Sequence, residues 1–155
     1  MPRFAANLSM MYTELPFLER FGAAARDGFR GVEFLFPYAF EADAIAAELR
    51  RHGLEQVLFN TWPGDFDGGE RGLASLPGRE AEFLSGVDRA IGYARALACP
   101  RLHAMAGLVP AGADRAARRA VYVRNLRAAA RRCADAGLSL LIEPSENALE
   151  VDGHL

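Results

Sequence analysis

The feature that most constrains this chain is an alternation repeated along its 155 residues: a short apolar run, then a stretch whose apolar residues recur every three or four positions. The runs at 4–11, 31–37, 54–62, 101–108 and 138–144 are short and bounded by Gly or Pro, and they read as strands. Between them, Phe17, Leu18, Phe21, Ala24 and Ala25 give a helix over 16–27, with Pro16 suited to its first turn and Gly28 to its stop. Ile45, Ala46 and Leu49 give a second helix over 42–52, ended by Gly53. The spacing of Phe83, Val87, Ala90, Ile91, Ala94 and Leu97 gives a third, which Pro100 bars from continuing. A fourth follows Asp114, a side chain able to cap it, with Val123, Leu126, Ala130, Cys133 and Ala134 as its buried stripe before Gly137. About five strands alternating with four helices predict an α/β fold of right-handed β-α-β units, a parallel sheet covered by helices.

The last run, Leu138-Ser139-Leu140-Leu141-Ile142-Glu143-Pro144, carries the strongest functional hint. It reads as a buried parallel strand delivering an acid at its tip. Side chains alternate along a strand, so Ser139 and Leu141 share a face with Glu143 while Leu140 and Ile142 take the other. Both faces are largely apolar, as a strand covered on both sides requires. The plainer alternative is a carboxylate at a strand end, solvated and idle.

Composition excludes several classes. With 51% hydrophobic and 25% charged residues the chain can bury a core as one domain. No run approaches the ~20 apolar residues of a membrane span, and polar Asn7 and Ser9 interrupt what would be a signal-peptide core, which predicts no membrane and a cytoplasmic protein. Cys99 and Cys133 show no metal-ligand spacing and read as buried thiols. All 18 basic residues are arginine, which excludes a Schiff-base lysine and the lysine of a phosphate-binding loop. A net charge of -2 and a pI near 5.9 give no electrostatic reason to expect nucleic acid. The arginines from Arg115 to Arg132 spread around a helix and read as a solvated face.

In parallel α/β folds ligands sit at the carboxyl ends of the strands, which selects Asn7, Glu33, Asn60, Glu70, Arg71, His103 and Glu143. Each has a structural alternative. Asn7 and Asn60 are turn and cap residues, Glu33 can pair with an arginine, His103 can be a packed, hydrogen-bonded histidine, and Glu70 with Arg71 can form a surface ion pair. The stretch 63–78, with five glycines and two prolines, is long for a connection and reads as a binding loop or lid. No zinc-protease motif, nucleophile elbow or dinucleotide fingerprint is present, and carboxylate acid-base chemistry is what remains.

The segments FAANLSMMYTELPFLERFGAAARDGFRGVEFLFPY, PGDFDGGERGLASLPGREAEF and LLIEP resemble the hydroxypyruvate isomerase family, which includes 2-oxo-tetronate isomerases and belongs to the xylose-isomerase-like TIM barrels. The resemblance covers about residues 3 to 144. It implies a partial (β/α)8 barrel over 1–144 and a divergent tail over 145–155. It makes Glu143 one of two catalytic carboxylates, the second coming from the final barrel strand, and in related enzymes a divalent metal is held by later strands. The implied substrate is a small 2-oxo acid, hydroxypyruvate or 2-oxo-tetronate, with Arg71, Asn60 and Asn7 as candidate binding residues. A complete barrel takes ~250 residues, so five strands leave two open sheet edges, through which self-association is expected. Two alternatives stand beside the isomerase: a non-catalytic remnant or interaction protein, and a barrel acting as an abasic-site endonuclease. The tail has Leu149, Val151 and Leu155 as its apolar anchors and is expected to be mobile or weakly docked.

Overall fold

The computed structural model describes residues 2–143. Five strands, β1 (Ala5–Asn7), β2 (Gly31–Phe34), β3 (Glu55–Asn60), β4 (Arg101–His103) and β5 (Ser139–Leu141), form one parallel sheet in chain order. Four helices connect them: α1 (Arg20–Arg26), α2 (Ala42–His52), α3 (Glu80–Leu97) and α4 (Arg115–Asp135). This is the expected partial α/β barrel of five strands and four helices. Among the described residues no helix is long and apolar enough to cross a membrane.

One sheet face is buried under the helices. Ala6, Val32, Phe34, Phe59 and Leu102 pack there against Phe21, Ile45, Leu49, Phe83, Val87 and Ala94, and each fully buried Phe contributes about 1.5–3 kcal/mol. Side-chain alternation puts Asn7, Glu33, Asn60 and His103 on the opposite face, near the carboxyl ends. A register shift at Val32/Glu33 brings Glu33 beside Leu58 of β3.

Local departures have local causes. The first helix opens with a 3-10 turn at Phe17–Glu19 before α1, because the Arg20 guanidinium binds the carbonyls of Leu8 (2.7 Å) and Leu15 (2.9 Å) and ties the incoming chain to its start. The strand expected over 101–108 ends at His103, since the chain then turns away to meet the 63–78 loop at Gly72 and Ala106. The buried stripe of α4 is Val121, Asn125, Ala129 and Cys133; of the residues expected there Cys133 is buried, Val123 and Leu126 are half-buried, and Ala130 and Ala134 are exposed. Asn125 is the reason, because its Nδ2 donates to the Ala74 carbonyl at 2.9 Å, so a polar residue occupies the inner face. β5 is also not the doubly covered strand predicted. Among the described residues it pairs with β4 alone, and Leu141 (37%) and Ile142 (55%) are exposed. The tail expected to be mobile or weakly docked, together with Pro144, lies outside the described residues.

Candidate active site

β3 and β4 are in register at Asn60 and His103, and this pairing builds the centre of the site. Asn60 Nδ2 faces the Met105 thioether at 3.6 Å, leaving Oδ1 to accept a hydrogen bond from His103 Nδ1 at 3.1 Å. Asn60 is itself fixed, because the Tyr38 hydroxyl donates to its carbonyl at 2.7 Å. Burial pushes the Tyr38 phenol far above its usual range, so it remains a donor. With Nδ1 carrying the proton, the other ring nitrogen, Nε2, presents a lone pair.

That nitrogen faces Glu143, whose Oε1 lies 3.8 Å away. Glu143 stands two residues beyond β5 with its side chain 75% exposed, whereas His103 keeps only 11% of its side chain accessible. Burial lowers the His103 pKa and the Glu143 charge opposes this more weakly, so the imidazole is neutral and the contact is not an ion pair. Asn60, His103 and Glu143 therefore converge. Asn7 lies further along the same face, where its Nδ2 donates to Glu33 Oε1 at 3.1 Å and its Oδ1 accepts from Ser9 N at 3.0 Å. Asn7 thus makes the turn foreseen for it and also holds a carboxylate.

Arg71 touches none of these residues. Its guanidinium stacks on Phe66 at 4.0 Å from the ring centroid, and Nη1 donates to the carbonyls of Phe66 (2.9 Å) and Glu70 (2.7 Å). Phe66 packs on Phe36, just past β2, which sets Arg71 over the same end of the sheet. The surface ion pair considered between Glu70 and Arg71 does not form. Glu70 pairs with Arg79, whose guanidinium holds the Glu70 carboxyl below the usual range, and also accepts from Asp65 N at 2.6 Å. The 63–78 loop is anchored: Leu73, Ala74 and Ser75 are buried, and Ser75 N donates to the Ala106 carbonyl at 2.8 Å.

Tyr38 and Met105 escaped the sequence reading, since an aromatic after a strand and a lone Met carry no chemical signal. An open cleft of ≈ 640 Å³ lies at the other end of the sheet, lined by Phe4, Asp27, Arg30, Glu55 and Arg101 among others. It is the face of such folds that serves stability. A divalent metal, which the resemblance allows, finds no group of three His, Cys, Asp or Glu donors among the described residues.

Residues 21–150 match the xylose isomerase-like TIM barrel family. The chain belongs to that family. Within it, the chain is 59% identical over 144 residues to the 2-oxo-tetronate isomerase of Cupriavidus necator, covering 93% of this chain and 55% of that protein. It is 47% identical over 144 residues to the hydroxypyruvate isomerase of Escherichia coli, covering 93% of this chain and 56% of that one. A crystal structure described as AP endonuclease, family 2, from Brucella melitensis superposes with a TM-score of 0.90 at 57% identity, covering 93% of this chain and 55% of that one. The resemblance to hydroxypyruvate and 2-oxo-tetronate isomerases is therefore borne out, and the chain spans about half the length of the curated relatives it matches.

Proposed function

We propose that this xylose isomerase-like chain supplies the first half of an isomerase site acting on a small 2-oxo acid, hydroxypyruvate or 2-oxo-tetronate. The observation that carries the reading is a solvent-open carboxylate, Glu143, set against a buried neutral histidine at the carboxyl end of the sheet. The names of the 59% and 47% identical relatives support the choice of reaction. Isomerisation moves a carbonyl by one carbon. A proton leaves the hydroxyl-bearing carbon for Glu143 while the carbonyl oxygen takes one up, giving an enediol; a proton then returns to the former carbonyl carbon as the original hydroxyl oxygen gives one up. Arg71, with only Nη1 hydrogen-bonded among the described residues, is the cation that meets the substrate carboxylate, and Asn60 and Asn7 line the approach.

Conversion of hydroxypyruvate to tartronate semialdehyde, and the matching reaction of 2-oxo-tetronate, test this in the 155-residue chain. In a chain carrying the complete barrel, turnover that falls ~10²-fold or more in Glu143→Gln is the expected result. Near-wild-type turnover in that variant ends the assignment of Glu143. A chain that self-associates and turns over neither acid is the non-catalytic remnant instead.

The Brucella melitensis structure's description favours a second reading, an abasic-site nuclease. Against it stand the net charge of -2 and the engagement of two α4 arginines with acids of α3, Arg124 with Glu80 and Arg132 with Asp88. Salt-sensitive binding to DNA carrying an abasic site would revive it.

A further inference from the structure

We infer that His103 is a substrate-contacting residue: its Nε2 accepts the hydrogen bond of the hydroxyl on the same carbon whose hydrogen Glu143 removes, so the site selects 3-hydroxy-2-oxo acids over their deoxy counterparts. The role of Glu143 in this statement rests on the isomerase reading above. The His103 geometry does not.

A gap of 3.8 Å between Nε2 and Oε1 is too long for a direct hydrogen bond. It also sets two acceptors, a lone pair and a carboxylate oxygen, face to face. Such a pair is repulsive until a donor enters between them. The tautomer is fixed from behind: Nδ1 is spent on Asn60, and Asn60 is held by Tyr38 through its backbone and by Met105 through its amide. Nε2 therefore cannot take the donor role without protonation, which burial opposes. Glu143 is exposed beside it, so the donor that fills the gap arrives from solvent. A carbon bearing both a hydrogen and a hydroxyl satisfies both acceptors at once, its O–H reaching Nε2 at about 2.8 Å while its C–H points to the carboxylate. An acid with a bare methyl group at that carbon offers Nε2 no donor, the kind of mismatch that a site arranged for a hydroxyl rejects.

The chain has three histidines, His52, His103 and His154, which makes ring ¹⁵N spectroscopy on the intact protein direct. Hydroxypyruvate and pyruvate, which differ by that hydroxyl alone, are the probes. At pH 7 the His103 Nε2 signal should sit at the unprotonated position and move toward the protonated one with hydroxypyruvate, and pyruvate should leave it in place and bind at least tenfold more weakly. His103→Leu should erase the preference while holding pyruvate affinity within twofold; should that variant fail to fold, the wild-type spectra decide. Hydroxypyruvate binding without movement of Nε2, equal affinity for the two acids, or binding of neither overturns the inference. Failure of the isomerase reading looks different: hydroxyl preference and Nε2 movement persist, yet the wild-type chain exchanges no substrate hydrogen for deuterium in heavy water.

Discussion

His103 couples the site to the stability of the chain. Its folded pKa is lowered by burial, so the neutral ring contributes stability above the unfolded value of about 6.5, and that contribution is lost as pH falls from there through the folded pKa. The urea midpoint should therefore drop more between pH 7.5 and pH 5.5 in the wild type than in His103→Gln, and parallel pH curves would remove His103 as the titrating group. Tyr38 is a positioning residue by the same geometry. Tyr38→Phe leaves the Asn60 carbonyl without its donor and should cost about 1–2 kcal/mol in denaturant unfolding, with a change in the His103 Nδ1 signal that a merely structural loss would not produce. Asn60, His103 and Glu143 were each legible as candidates because strand ends were. Their mutual contact was not, because it depends on the register of β3 with β4, which no local pattern records.

At the scale of elements, periodicity located the helices well and failed where a polar residue faces inward. α2 and α3 bury the residues that their spacing picks out, whereas α4 turns Asn125 into the core to satisfy Ala74 of the 63–78 loop. A hydrophobic stripe drawn from apolar residues alone cannot include it. Asn125→Ala should cost about 1–3 kcal/mol, since it strands a buried carbonyl. The loop itself depends on Gly72, which sits at φ 112°, where a Cβ would collide with the Met105 carbonyl. Gly72→Ala is expected to destabilise by about 1–3 kcal/mol or more and to speed amide exchange across 63–78, because the crossing that anchors the loop has no room to adjust. Unchanged exchange there would mean that the Glu70–Arg79 pair and the buried Leu73 hold the loop without the crossing.

The molecule as a whole has an asymmetric sheet. Its helix-covered face is closed, while β1 and β5 each have one neighbour among the described residues. Unpaired strand edges recruit other strands unless charge, proline or a covering segment blocks them. Here the apolar residues nearest the two edges are exposed: Phe4 (74%) before β1, and Leu141 (37%) and Ile142 (55%) at the end of β5. The same exposure explains why sequence alone overstated the burial of β5. Apolar faces show that a strand is suited to cover, and what supplies the cover lies outside the run itself. We expect the 155-residue chain to associate through these edges, with a sedimentation coefficient that rises with concentration. The double variant Leu141→Lys, Ile142→Lys adds charge to one edge and should shift the population toward monomer while leaving the urea midpoint of the monomer within about 1 kcal/mol of stability, as both side chains are already exposed. A wild-type chain that stays monomeric at every concentration would show that the β5 edge is covered by the chain's own residues, and the site opening beside Glu143 would then be narrower than its exposure suggests.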